Sequence, residues 1–225
     1  ALINAGCDEA NAEAVAAVMS RAERDGCPSH GLFRLPGYLA SLRSGKVKGT
    51  ARPTTRQIAP AVVQVDGQGG FAPLAVMAAR AALAPLARSQ GIASAQVVNV
   101  RHFSALWVDI EGLVASGLAA MCFTAYMPAV APAGAPRPFY GTNPMAFGWP
   151  RPDGGTMIFD QASAAMARGE LMIAARDGHA VPPGAGVDAD GRPTTDPAAI
   201  LKGAQLPFGG YKGSSIAIDR KSTRL

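Results

Sequence analysis

Val62-Val63-Gln64-Val65-Asp66-Gly67-Gln68-Gly69-Gly70 is the stretch that decides the fold class of this 225-residue chain. The β-branched run reads as a strand and the glycines behind it as a turn. An alanine-rich stretch from 72 to 90 then reads as a long helix closed by Gly91, and Ala95-Gln96-Val97-Val98-Asn99-Val100 as a second strand. Strand, helix and strand in succession predict an α/β or α+β sheet domain. The same residues argue against the usual dinucleotide fold. The glycine spacing is not G-x-G-x-x-G, no acidic residue ends a suitable second strand, and there is no Walker A pattern.

Working outward, periodicity predicts a helix over residues 8–25, capped by Asp8, with Ala14, Val15, Val18, Met19 and Ala22 on one face. A second helix is expected from 31 to 44, burying Leu32, Leu35, Leu39 and Leu42 and ending at Gly45. Residues 46–58 read as a connection. Further on come a helix from 105 to 116, a buried strand from 118 to 124 and a proline-rich loop from 127 to 140. Paired strands are expected at 143–149 and 156–160, then a helix from 162 to 175 and a glycine- and proline-rich meander from 176 to 213. The expected organisation is an N-terminal helical segment (1–55), an α/β core (56–218) and a short tail (219–225).

Composition narrows the class of partner. The chain is 48% hydrophobic and 16% charged, so it has the makings of a packed core. Its net charge is +5, yet the basic residues are dispersed and no aromatics interleave with them, which argues against nucleic acid. Three widely spaced cysteines without a C-x-x-C suggest neither a disulfide framework nor a zinc site, so no metal is expected. No leader is read and no apolar run is long enough to cross a bilayer. The expected setting is the reducing cytoplasm.

Chemistry concentrates in Cys27-Pro28-Ser29-His30-Gly31-Leu32-Phe33-Arg34. An imidazole that titrates near neutrality suits a proton carrier, and a guanidinium offers a planar fork to a carboxylate. Ser29 and His30 can equally be a helix cap and a surface imidazole. A serine hydrolase is not expected, because adjacent residues rarely bring an imidazole onto its own neighbour's hydroxyl, and no G-x-S-x-G elbow occurs. His102-Phe103-Ser104 stands before a predicted helix start, where amides attract phosphates or where a cap suffices. Gly141-Thr142-Asn143-Pro144 reads as a turn, Asp160-Gln161-Ala162-Ser163 as a strand-to-helix junction, and Arg168-Gly169-Glu170 as a helix face. Phe208-Gly209-Gly210-Tyr211-Lys212-Gly213 joins flexible backbone to a cation suited to an anion.

In this order the segments resemble the malate/L-lactate dehydrogenase family of NAD(P)-dependent oxidoreductases, which is unrelated to the Rossmann lactate dehydrogenases. The resemblance runs from residue 1 to about 218. It rests on Ser-His-Gly-x-x-Arg-Leu, His-Phe, Gly-Thr-Asn-Pro, Asp-x-Ala-Ser, Asp190-Gly191-Arg192-Pro193-Thr194-Thr195-Asp196-Pro197 and Pro207-x-Gly-Gly-Tyr-Lys-Gly. His102 to Trp107, Phe159 to Ser163 and Met166 to Glu170 are most similar to the branch of Δ1-piperideine-2-carboxylate/Δ1-pyrroline-2-carboxylate reductases. The resemblance implies a non-Rossmann, sulfolactate dehydrogenase-like α/β fold, a mixed sheet flanked by helices, and a homodimer.

It further implies reduction of a small cyclic imino acid to L-proline or L-pipecolate with NADPH, or alternatively NADH, in proline metabolism and lysine degradation. The family motifs make His30 the proton donor, with Ser29 and Glu170 as its relay. Arg34 and Thr142 fall to the substrate. His102, Phe103, Ser104, Ala105 and Leu106, with Asp160, Gln161, Ala162 and Lys212, fall to the cofactor. Two alternatives stand beside this one: a 2-hydroxy/2-keto acid dehydrogenase of malate or lactate type, and an inactive truncated fragment. The family continues past Ile216-Ala217-Ile218 into further helices, and here Asp219 to Leu225 reads as a junction foreign to it.

Overall fold

Asp8 starts the first helix by accepting a hydrogen bond from the Asn11 amide at 3.0 Å, and α1 (Glu9–Arg24) follows. In the computed structural model, which describes residues 1–222, α1 buries Ala14, Val15, Val18, Met19 and Ala22, the face predicted by periodicity. The tail from 219 to 225 lies outside the residues whose side chains are described.

The second predicted helix is broken. A 3₁₀ turn, Leu32–Arg34, precedes α2 (Leu35–Arg43), because Pro36 fits the first turn of an α-helix but not its interior. Leu32, expected in the core, is therefore 61% exposed, while Tyr38 and Leu42 are buried. The connection predicted at 46–58 contains β1 (Thr54–Ala59), a polar and fully exposed edge strand that hydrophobic periodicity cannot detect. It pairs antiparallel with β2 (Val62–Asp66), which pairs parallel with β3 (Ser94–Val98) across α3 (Ala72–Gln90). This is the β-α-β crossover expected from the glycine-rich stretch.

After α4 (Leu106–Ala115), the strands β4 (Ala120–Phe123), β5 (Met145–Pro150) and β6 (Thr156–Gln161) form a second sheet in that order. β4 is not the buried strand expected, since Met121 and Phe123 are exposed on one face. The predicted helix at 162–175 begins six residues later, as α5 (Arg168–Asp177), so Asp160 and Gln161 end β6 and cap no helix. The meander from 176 to 213 holds more order than expected. It contains β7 (Gly186–Val187), β8 (Pro193–Thr194), α6 (Pro197–Lys202, capped by Asp196) and β9 (Ala204–Gln205), with the strands in order β8-β7-β9, before α7 (Tyr211–Ser222).

The chain divides into two units. The first comprises Ala1–Cys122 and Phe147–Phe159, and the second Phe123–Ala146 with the chain from Asp160 onward. The main core of the first unit gathers Leu2, Val15, Met19, Tyr38, Leu42, Val47 and Phe71. In the second, Leu171, Val181, Ala185 and Ile200 pack α5 against α6, and Val130, Tyr140, Ala164 and Ala217 form another cluster.

Phe71 is 1% exposed, so Phe71→Ala should cost about 3–5 kcal/mol of unfolding free energy in a urea titration. Asp8→Ala should cost only about 1 kcal/mol in the same assay, the worth of one N-cap.

Candidate active site

Helix α1 ends in a turn at Asp25 and Gly26, and the next residue, Cys27, donates its amide to the Ala22 carbonyl at 2.8 Å. Pro28 then favours a tight 3₁₀ turn, Pro28–His30, in which the His30 amide donates to the Cys27 carbonyl at 3.0 Å. That turn folds the side chains back on one another. The Ser29 hydroxyl lies 3.1 Å from His30 Nδ1, and Ser29 is 1% exposed. The cap position of this turn is Cys27, whose side chain makes no cap bond. Contrary to expectation, adjacent residues do bring hydroxyl and imidazole together here.

Gly31 makes room beside them for an anchor from α1. Glu23 of α1 accepts the Leu32 amide at 2.6 Å, and a Cβ on residue 31 would collide with the Glu23 carboxylate and break that bond. The Glu23 anchor fixes the short path from His30 to Arg34. His30 packs edge-on to Trp107 with ring centroids 6.0 Å apart, and Trp107 Nε1 donates to Asp25 at 3.1 Å.

The imidazole is not poised near neutrality as the sequence suggested. Burial, and then the Arg34 charge, push His30 down to about 4. Arg34 acts on a wider group. Its charge also presses downward on His102, where burial is the larger cause and Arg101 adds to it. Burial raises the Tyr38 hydroxyl, against the opposing pull of Arg34. His102 holds a left-handed backbone (φ 53°) that turns its ring back onto Tyr38 and Phe71, at centroid distances of 5.0 and 5.8 Å. Its Nε2 lies 2.6 Å from the Ser41 hydroxyl of α2. Ser29, His30, Arg34 and His102 thus share one electrostatic neighbourhood, with Tyr38 and Trp107 as aromatic walls.

Beyond His102, Ser104 donates to Asp109 at 3.1 Å in a buried pair. Ala105 then opens α4 and makes no side-chain cap bond of its own. Phe103 is half-buried beside them.

In the second unit the structure brings three predicted motifs together. The Thr142 carbonyl accepts the Ser163 amide at 2.7 Å, and the Ser163 hydroxyl donates to the Asn143 carbonyl at 3.2 Å. The Ser163 carbonyl accepts the Phe208 amide at 3.0 Å, which ties in the Gly209-Gly210 loop. Gly213 completes the junction, because a Cβ there would sit 2.6 Å from the Ser163 carbonyl oxygen and 2.7 Å from that of Phe208. Asn143 clamps the turn from both ends of its amide, accepting from the Tyr126 amide at 2.9 Å and donating to the Ala217 carbonyl at 3.0 Å. Lys212 is exposed in the first turn of α7, behind Gly209 and Gly210, both with positive φ. Glu170 is exposed in the first turn of α5.

Sequence reasoning missed Tyr38, and it read Trp107, Asn143 and Ser163 only as members of their motifs, with no role of their own. Tyr38 stands one helical turn beyond Arg34, a spacing that could have flagged it. Nothing local signals that Trp107 meets His30, because that contact joins segments distant in the chain.

His30 should stay neutral at pH 7 in the ligand-free protein and titrate near pH 4 in an NMR pH series. Its folded value lies below the unfolded one, so the unfolded chain binds more protons between the two. Unfolding free energy should therefore rise with pH from about 4 to 6.5 through this group, and His30→Gln should flatten that part of the profile.

Comparison with known proteins matches this arrangement to a family. The sequence pattern described as malate/L-lactate dehydrogenase matches residues 1–219. A Delta(1)-pyrroline-2-carboxylate reductase of Ancylobacter novellus is 53% identical over 217 residues, covering 96% of this chain and 64% of that protein. The crystal structure of delta1-piperideine-2-carboxylate reductase from Pseudomonas syringae pvar. tomato aligns with a TM-score of 0.93 at 46% identity, over 97% of this chain and 66% of that one. Sulfolactate dehydrogenase from Methanocaldococcus jannaschii aligns with a TM-score of 0.86 at 31% identity, over 99% of this chain and 64% of that one. The chain spans just under two thirds of the length of each of these relatives. The mixed α/β fold expected from the ordered motifs is the fold found, and the chain belongs to the malate/L-lactate dehydrogenase family.

Proposed function

We propose that the protein carrying this chain reduces the C=N bond of small cyclic imino acids, Δ1-pyrroline-2-carboxylate to L-proline and Δ1-piperideine-2-carboxylate to L-pipecolate, with NADPH. The observation that carries the reading is the part-buried Ser29–His30 pair lying under the charge of Arg34. It combines a proton carrier with a carboxylate clamp. The two reductases similar to this chain act, by their names, on pyrroline- and piperideine-2-carboxylate.

Arg34 holds the substrate carboxylate through its planar fork and so fixes the imine carbon. The nicotinamide, when bound, supplies the hydride to that carbon. His30 delivers a proton to the imine nitrogen, which makes the carbon more electrophilic, and Ser29 steadies the imidazole at Nδ1. The substrate carboxylate offsets the Arg34 charge, which adds to burial in keeping His30 neutral, so its binding raises the affinity of the imidazole for a proton. The family motifs also assign Glu170 to the group that orients His30, and Thr142 to the substrate.

The residues present fit a dinucleotide phosphate. The start of α4, from Ala105 to Leu106, offers helix N-terminal amides, and Ala105 itself makes no side-chain cap bond. The Gly209-Gly210 turn leads into α7 with Lys212 in its first turn. These groups, with His102, Phe103 and Ser104 and with Asp160, Gln161 and Ala162, would hold the cofactor. A homodimer in the cytoplasm is the assembly and setting that accord with this reading.

The test follows NADPH absorbance in an enzyme of the relatives' full length. Turnover of Δ1-pyrroline-2-carboxylate is expected, and turnover of pyruvate or oxaloacetate alone would favour the keto-acid reading instead. Saturable NADPH binding by this chain would set aside the inactive-fragment alternative. His30→Ala should lower kcat at least roughly 100-fold with NADPH affinity retained, as loss of an acid catalyst does. Arg34→Ala should chiefly raise KM for the imino acid. Equal loss of cofactor binding in both variants would show that the roles are wrongly assigned.

A further inference from the structure

His30 Nδ1 is approached by two side chains, and the proposed mechanism uses only one of them. Besides Ser29, the Cys27 sulfur lies 3.6 Å from Nδ1 and 3.7 Å from the Ser29 oxygen, within reach of a sulfur hydrogen bond. The three side chains form a closed triangle, Cys27–Ser29–His30. The main chain locks it, because the Cys27 carbonyl also accepts the His30 amide. Cys27 is therefore tied to His30 at backbone and ring alike, across a single 3₁₀ turn.

We infer that Cys27 is a positioning residue for His30: its sulfur and the Ser29 oxygen together hold Nδ1, which leaves Nε2 as the nitrogen that takes up and releases the proton. The inference deepens the reading of His30 as proton donor and rests on it. An imidazolium that gives up its Nε2 proton is left as the Nδ1–H tautomer, so both neighbours act as acceptors to a retained Nδ1 proton. Two acceptors on one N–H fix the ring plane better than one, because the sulfur blocks the rotation that the Ser29 bond alone allows. The charged group that bears on the ring is Arg34, on the turn that leads into α2, and Trp107, which packs on the ring, is itself held by Asp25.

The same geometry makes the thiol a point of attack. Cys27 is half-buried, whereas Cys7 is buried with its thiol pushed up by that burial and by Asp8. Alkylation of Cys27 by iodoacetamide forms a carbon–sulfur bond, expels iodide and releases the thiol proton to solvent. The added group would occupy the space between Sγ and Nδ1 and displace the ring.

The experiment compares wild type, Cys27→Ser and Cys27→Ala in the full-length enzyme, by kinetics and by 15N spectra of histidine-labelled protein. Wild type should show a protonated Nδ1 and an unprotonated Nε2 at His30. Cys27→Ala should mix the tautomers and lower kcat roughly five-fold with KM for the imino acid unchanged, the scale of one weak hydrogen bond lost near the transition state. Cys27→Ser should restore both. Iodoacetamide should inactivate wild type but not Cys27→Ser, although Cys122, also half-buried, remains in both. If Cys27→Ala leaves the His30 spectrum and kcat as in wild type, or if the serine variant is inactivated as fast, the inference is overturned. An enzyme that turns over no imino acid would overturn the proposed function instead, and the 15N comparison would still decide the role of Cys27.

Discussion

Phe71 is where the first unit is tied together. Its ring is almost wholly buried and meets Tyr38 of α2 edge-on at 5.0 Å, with His102 on another side. Its backbone sits between the turn after β2 and the start of α3, bridged to Arg101, whose amide and carbonyl pair with Gly70 and Ala72 at 2.9 Å. One side chain therefore joins the N-terminal helices to the carboxyl end of the β2–β3 pair. Burying an aromatic ring of this size is a large favourable term, and edge-to-face contacts add to it. Loss of the ring would loosen the helices that carry Ser29, His30 and Arg34 from the strand end that carries His102.

That dependence explains why the site is built from residues far apart in sequence yet shares one charge. Arg34 stands at the entry to α2, held there by the Gly31 turn and the Glu23 anchor, and Tyr38 one turn on packs against Phe71. His102 reaches the same neighbourhood only because its left-handed backbone turns the ring back toward α2. A non-glycine residue in that conformation stores backbone strain. The Ser41 bond and the two aromatic contacts offset it.

The legible part of the fold was the part whose pattern is local. The α1 face, the α3 helix and the β2–β3 crossover follow from hydrophobic period and glycine punctuation, and all three were found as expected. What escaped was set by tertiary context. β1 is polar because it lies exposed at a sheet edge, so it carries no apolar alternation to read. Leu32 breaks the expected stripe because Pro36 restarts the helix after it. The motif residues of the site were legible as a set through their order, but Trp107 against His30 and Asn143 between Tyr126 and Ala217 are long-range contacts with no local signature.

The electrostatics of the first unit tie proton uptake to substrate on the proposed reading. A buried imidazole beside a guanidinium is neutral when the site is empty, so it holds no proton to lose wastefully. A carboxylate placed on Arg34 removes the repulsion and adds an attraction of its own, so the affinities of the site for substrate and for a proton must rise together. Binding the wrong partner, one without a carboxylate, leaves Arg34 uncompensated and His30 unprotonated. Specificity for an acid substrate and timing of the acid catalyst then share one link, the charge of Arg34 felt by His30 on top of the larger effect of burial.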